Sequence, residues 1–130
     1  MATSNRLRLL SLSAALVFAV AAAPACAEPS NKWRIQVSSD ADSAGVMVFD
    51  IVPVNAPPRS VTVQIPDDAG ENEVADLIRD ALRVQIGDAY NVEVDDGEDV
   101  LVKKQFGAAD FDLRLRETTV RGVRINLDRE

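Results

Sequence analysis

The residues of this sequence most capable of chemistry are acidic, and four of them are gathered in one short stretch: Asp95, Asp96, Glu98 and Asp99. Hard cations such as Ca²⁺ bind clusters of carboxylate oxygens, so this stretch is a weak calcium candidate. Its spacing does not match an EF-hand loop, however, and Asp96-Gly97 is also a common hairpin turn. We therefore favour a solvated hairpin tip and predict no metal and no cofactor.

Three arginines near the end of the sequence form a second group of interest. Arg114, Arg116 and Arg124 alternate with apolar residues on two predicted strands, and we expect these strands to pair with Arg114 opposite Arg124. Guanidinium groups match carboxylate and phosphate, so the cluster indicates a site for an anion or a carboxylate-bearing partner. The alternative, which we favour, is a surface ladder in which Asp112 and Asp128 neutralise the arginines.

The register of that predicted hairpin follows from its apolar residues. If they share one face, three pairs form across the hairpin: Leu115 with Val123, Leu113 with Ile125 and Phe111 with Leu127. This register leaves a three-residue loop between the two strands.

The absence of histidine restricts the possible chemistry more than any residue that is present. The sequence contains no histidine and a single cysteine, Cys26. This excludes Ser-His-Asp and Cys-His catalysis, histidine zinc sites and an imidazole general base. The acidic residues occupy predicted turns and helix surfaces, where the raised carboxyl pKa that a two-carboxylate hydrolase needs is hard to obtain. We therefore predict that the protein is not an enzyme.

Residues 1–27 have the three zones of a secretory signal peptide. Arg6 and Arg8 supply the positive start, an apolar run follows, and Ala25-Cys26-Ala27 presents small residues for cleavage. The apolar run is shorter than the roughly 20 residues of a spanning helix. We predict cleavage near Ala27, no membrane span in the mature chain, and a periplasmic or extracellular location. A lipid-bearing Cys26 is the minority alternative.

Residues 28–130 have the length of a single domain and carry a strong negative charge. The full sequence has 14 basic and 21 acidic side chains, a net charge of −7, and cleavage removes Arg6 and Arg8 but no acidic residue. Such a surface repels nucleic acid and favours basic proteins or cations. We therefore predict no nucleic-acid binding. Because the mature part has no cysteine, its fold depends on packing alone.

Apolar periodicity predicts eight elements in the order βββαββββ. Period-2 alternation indicates seven strands, near residues 33–37, 46–54, 61–65, 90–94, 100–102, 111–115 and 123–127. Apolar residues at helical spacing from Val74 to Ile86 predict one helix, which Gly87 ends. The predicted class is α+β: a single domain, mainly antiparallel sheet, with the apolar face of the helix against one side.

The most apolar strand, Val46 to Val54, permits two interpretations. We favour a central buried strand. The alternative leaves Val46 and Val48 at an exposed sheet edge, where strand addition would recruit a partner or another copy of the chain.

The stretch from Ser60 to Leu115 resembles the hook IN module of flagellins and flagellar hook-associated proteins. The likeness lies in three segments of strand, helix and hairpin: Val61–Pro66, Val74–Leu82 and Tyr90–Gly97. Axial flagellar proteins are exported without a cleaved signal peptide, whereas this chain has the pattern of one. The resemblance therefore implies a surface-exposed decorating or assembly module rather than a component of the hook.

Two hypotheses for function follow. The first is an exported, non-catalytic binding or assembly module of the bacterial envelope or cell surface, which contacts another protein or itself. The alternative is an acidic proteinaceous inhibitor of a basic secreted or periplasmic enzyme such as a lysozyme. Rising ionic strength should slow the association of an electrostatic inhibitor and hardly affect strand addition, so salt dependence separates them.

Overall fold

The computed structural model describes residues 28–130, so the predicted signal peptide lies outside the described residues. The elements are β1 (Lys32–Ser38), β2 (Gly45–Pro53), β3 (Arg59–Ile65), α1 (Glu71–Ile86), β4 (Tyr90–Asp95), β5 (Asp99–Lys104), β6 (Phe111–Thr118) and β7 (Arg124–Arg129). All pairs of strands are antiparallel. This confirms the predicted α+β class and its order βββαββββ. No helix within residues 28–130 is long and apolar enough to cross a bilayer.

The strands form two sheets that share one core. The first sheet has the order β4-β5-β1-β7, and the second has the order β3-β2-β6. Alternate side chains of β1, among them Trp33 and Ile35, are buried with Phe49 and Ile51 of β2 and with the apolar face of α1. The period-2 pattern of the sequence therefore reflects one inward and one outward face on each sheet.

The strands β6 and β7 do not pair with each other, so the predicted hairpin register is wrong. Leu115 of β6 lies opposite Phe49 of β2, whereas Ile125 of β7 lies opposite Val37 of β1. Val120, in the loop between β6 and β7, is buried in the core where the chain changes sheet. This arrangement buries the apolar faces of the two sheets against each other, which a hairpin within one sheet would not do.

The helix α1 ends at Gly87, as the sequence predicts, and begins at Glu71, three residues before the predicted apolar stripe. Gly70 precedes its first turn, and the backbone N–H of Glu71 donates to Asp40 Oδ1 at 3.1 Å. Gly87 ends the helix at a φ of 72°, a conformation that side chains with a Cβ rarely adopt. The buried stripe of the helix consists of Val74, Ala75, Ile78, Leu82 and Ile86.

One side of the sandwich is closed by α1, which packs against the edge strands β3 and β4. The Gln85 side chain donates from Nε2 to the Thr62 carbonyl at 2.9 Å and accepts the Thr62 N–H at 3.1 Å. It therefore occupies the position of a neighbouring strand on the β3 edge. Arg83 Nε donates to the carbonyl of Val92 in β4 at 2.7 Å. We call the side formed by β3, β4 and α1 the closed side.

The opposite side, bounded by β6 and β7, is the open side. Ser30 ties the two strands at one end, because its backbone pairs with Phe111 and its Oγ donates to the Glu130 carbonyl at 2.6 Å. Beyond Ser30, no strand of the described chain pairs with the outer edge of β6 or β7. Four partly buried apolar side chains lie along this side: Leu115, Val123, Ile125 and Leu127.

Replacing Gln85 with alanine should destabilise the protein, because both hydrogen bonds to Thr62 are lost and the β3 edge is uncovered. We expect the free energy of unfolding to fall by about 1–2 kcal/mol. Urea denaturation measures this as a lower midpoint with an unchanged slope. Gln64→Ala is the matched control, since Gln64 is exposed on β3 and makes no side-chain hydrogen bond among the described residues. Equal midpoints for the two variants would contradict the role of Gln85.

Candidate functional site

The structure brings together two of the three predicted arginines. Arg114 and Arg116 lie on β6, whereas Arg124 lies on β7 in the other sheet. The predicted cluster of three guanidinium groups is therefore wrong, because its two strands pair with different neighbours. The binding role of each arginine stays a prediction.

Arg116 belongs to a polar network across the outer face of the second sheet. Its Nε donates to Asp50 Oδ2 and its terminal nitrogen donates to Ser60 Oγ, both at 2.8 Å. Ser60 Oγ in turn donates to Asp50 Oδ1 at 2.8 Å. Arg116 therefore joins β6, β2 and β3 in a surface ladder. The sequence predicted such a ladder with Asp112 and Asp128 as the neutralising residues; Arg116 pairs with Asp50 instead, whereas Asp112 pairs with Arg114.

Arg114 forms an ion pair with a carboxylate that is removed from water. Its Nε lies 2.6 Å from Asp112 Oδ2. Asp112 is 2% exposed and is the only buried charged residue among those described. Its Oδ1 accepts no hydrogen bond within the described residues. A buried carboxylate without a partner lowers the stability of the folded state by roughly several kcal/mol. Arg114 therefore compensates the charge of the buried Asp112.

The strand that contains Val46 and Val48 has no open edge. β2 is the central strand of its sheet, with β3 on one edge and β6 on the other. This confirms the favoured central position and rules out strand addition at β2. Val46 and Val48 lie half-buried on the outer face of the sheet, where side-chain contact with a partner stays a prediction.

Two carboxylates of the acidic tip are engaged by an arginine that the sequence reasoning missed. Arg34, on the outer face of β1, lies 3.2 Å from Asp95 Oδ2 and 2.8 Å from Asp99 Oδ2. The other two residues of the tip are Asp96 and Glu98. Among the described residues, no group of three or more His, Cys, Asp or Glu side chains is placed to hold a metal ion. The Arg34 guanidinium neutralises Asp95 and Asp99.

Arg34 also binds Glu130, which joins the last residue of the chain to β1. Arg34 Nε lies 2.5 Å from Glu130 Oε1, and Lys32 Nζ lies 2.8 Å from Glu130 Oε2. The pKa of Glu130 lies below its usual value, because Lys32 and, to a smaller extent, Arg34 donate hydrogen bonds to its carboxylate. A hydrogen bond from Arg129 lowers the pKa of Glu28 in the same way. These pairs anchor both ends of the described chain beside β7.

The outer edge of β7 forms one part of the open side and presents backbone groups without a paired strand among the described residues. The N–H of Glu130 donates to the Lys32 carbonyl of β1 at 3.1 Å. Because backbone groups alternate along a strand, the N–H and C=O groups of Ile125 and Leu127 point away from β1. Neither Arg124 nor Asp128 forms an ion pair with any described residue. Sequence reasoning identified Arg124 but missed the edge to which it belongs.

A surface cavity of about 570 Å³ lies near the loop that follows β5. Its lining includes Asn31, Asn91 and Lys103, and the adjoining Phe106 is fully exposed. No carboxylate is present among the lining residues, so a two-carboxylate hydrolysis has no site in this cavity.

Comparison with known proteins gives one partial match. The chain is 32% identical over 78 residues to a protein named prepilin peptidase-dependent protein A from Clostridium perfringens (strain 13 / Type A). The match covers 59% of this chain and 54% of that protein, so the chain spans about half the length of the curated relative. No family model matches the chain, and no solved structure matches it.

Replacing Arg114 with alanine should destabilise the protein, because Asp112 remains buried without its ion pair. We expect a loss of about 1–3 kcal/mol, below the value for a fully buried pair because the arginine is partly solvated. Arg121→Ala is the matched control: Arg121 is exposed, and its side chain makes no contact with a described charge. It should change stability by less than about 0.5 kcal/mol. Similar unfolding midpoints for both variants would argue against the role given to Arg114.

Acidification should remove the contribution of Glu130 to stability. Since folding lowers the pKa of Glu130, its stabilising effect is complete above the ordinary glutamate pKa and is lost as the pH falls through the lower folded value. Glu130→Gln should therefore weaken the dependence of stability on pH in that acidic range. Glu93→Gln is the matched control, because the exposed Glu93 side chain has no hydrogen-bond partner among the described residues. It should leave the dependence of stability on pH unchanged. Thermal unfolding across a pH series tests this, and parallel curves for wild type and Glu130→Gln would contradict it.

Proposed function

We propose that the protein is an exported, non-catalytic module of the bacterial envelope or cell surface that binds protein through its open side. The observation that carries this proposal is the contrast between the two sides of the sandwich. On the closed side, Gln85 and Arg83 bind the backbone of the edge strands. On the open side, the outer N–H and C=O groups of β7 have no paired strand among the described residues. The half-buried side chains of Ile125 and Leu127 belong to the same strand.

Such an edge is suited to binding protein. Unpaired strand edges accept a further strand through main-chain hydrogen bonds, and neighbouring apolar side chains add buried surface. Native proteins usually cover or charge such edges. In this protein α1 covers the edges of β3 and β4 but not those of β6 and β7. This difference supports a contact role for the open side.

The export and surface location are supported by the pattern of residues 1–27, by the name of the partial relative and by one resemblance. Residues 1–27 have the signal-peptide pattern. The partial relative is named as dependent on a prepilin peptidase, and we take this name as support for an exported protein. The resemblance of residues 60–115 to a flagellar hook module also favours an assembly or decorating role. A periplasmic or extracellular location is therefore part of the proposal.

A non-catalytic role is supported by the chemistry of the side chains. The sequence has no histidine. Asp50, Asp95, Asp99 and Asp112 are bound by arginines, so these carboxylates serve structural pairs. The alternative of an acidic inhibitor is less well supported, because two of the four carboxylates at the acidic tip are neutralised by Arg34.

Photo-crosslinking in the producing cells tests the proposal. A photoreactive residue at position 126, on β7, should give protein crosslinks, because this position borders the open edge. The same residue at position 84 is the matched control, since Val84 is 84% exposed on the helix of the closed side. A third probe, at position 96, reports on the acidic tip. Mass spectrometry identifies the joined proteins.

Crosslinks at position 126 with few at position 84 would support contact through the open side. Equal yields at both positions, or crosslinks confined to position 84, would contradict it. A single basic enzyme joined at position 96 alone would replace this proposal with the inhibitor.

A further inference from the structure

We infer that the open edge of β7 binds a second copy of this chain, by antiparallel pairing of the two β7 strands about Asn126. The inference rests on the proposed function and names the partner of that surface. It is carried by the order of side chains along β7, which is complementary to itself when reversed.

Of the four edge strands in the described chain, β6 and β7 are the two that α1 leaves uncovered, and only β7 has an order of side chains that is complementary to itself. Gln85 covers the middle of β3, and Arg83 binds the outer carbonyl of Val92 in β4. Ser30 pairs with the start of β6. On β7, the backbone groups of Ile125 and Leu127 point outward with no described partner.

The outward backbone groups limit how two β7 strands can pair. In an antiparallel pair, odd-numbered residues of one copy must face odd-numbered residues of the other. A two-fold axis through Asn126 satisfies this condition, because it sets Ile125 of each copy opposite Leu127 of the other. The same axis sets Arg124 of each copy opposite Asp128 of the other.

In this register the side chains on both faces of β7 are complementary to those of the second copy. On the inner face, two Ile–Leu pairs extend the half-buried apolar row of the open side. On the outer face, two Arg–Asp pairs form at residues that have no ion pair within the described chain. Opposite charges at directly opposed positions stabilise a sheet, and apolar side chains that meet there are removed from water. An interface made by one patch with itself is the usual basis of a symmetric dimer.

The dimer would extend the sheet β4-β5-β1-β7 through the axis into an eight-stranded sheet, and thereby remove the β7 edge from solvent. Five paired residues on each copy form a small interface, so we expect a dissociation constant of about 10 µM to 1 mM.

Charge exchange across the axis tests the register. We would measure mass by sedimentation, up to millimolar concentration, on the processed protein purified from cells that export it. Arg124→Asp and Asp128→Arg each place two like-charged pairs at the axis and should weaken dimerisation at least about tenfold. An equal mixture of the two variants restores both opposite pairs in a heterodimer and should dimerise like the wild type. Arg121→Asp, with the same change of charge in the preceding loop, should dimerise normally.

Several outcomes would overturn the inference: a monomeric wild type at millimolar concentration, variants that dimerise as well as the wild type, or a mixture that fails to associate. Circular dichroism confirms that each variant is folded. A monomeric wild type that still crosslinks to a different protein at position 126 would refute self-pairing and leave the proposed function standing. An absence of crosslinks at position 126 would refute the proposed function as well.

Discussion

The contact between the inward faces of β1 and β2 holds the whole structure together. The described chain has no cysteine and therefore no disulfide, so burial of apolar surface must supply the stability. Trp33 adds a specific connection between the sheets, because its ring N–H donates to the Phe111 carbonyl of β6 at 2.8 Å. The apolar face of α1 packs into the same core.

The same contact explains why the two sides of the sandwich differ. β6 pairs with β2 and β7 pairs with β1, so these two consecutive strands lie in different sheets. This placement lets both sheets bury their apolar faces. Within residues 28–130 one α-helix, α1, covers strand edges, and these are the edges of β3 and β4. The outward N–H and C=O groups of β7 stay without a paired strand, beside the half-buried Ile125 and Leu127. The edge on which the proposed contact depends is thus a result of how the core is formed.

Much of the fold could be predicted from the sequence, because strand and helix periods are local properties. The alternation around Trp33 and Ile35 indicates β1 without reference to any other strand, and Gly87 marks the end of α1. The pairing of strands could not be predicted in this way. Alternation in β6 and β7 identifies the inward residues, but it does not say which sheet each strand joins.

The candidate site was predictable only in part, for the same reason. Arg124 is one of the predicted binding residues, but its expected neighbour Arg114 lies in the other sheet. The pairs of Arg34 with the acidic tip depend on β1 lying beside β5, which no local pattern shows. The symmetric order of Arg124, Ile125, Asn126, Leu127 and Asp128 is visible in the sequence. It acquires meaning only when β7 is known to be an edge strand.

Amide hydrogen exchange at increasing protein concentration tests most directly whether the β7 edge pairs with a second copy and whether the β3 edge is covered. The Ile125 and Leu127 amides should exchange rapidly in dilute solution and become protected as the concentration rises. The Thr62 amide, which donates to Gln85, should be protected at every concentration. Rapid exchange of Ile125 and Leu127 at all concentrations would contradict the pairing of two β7 strands, and an unprotected Thr62 would contradict the covered β3 edge.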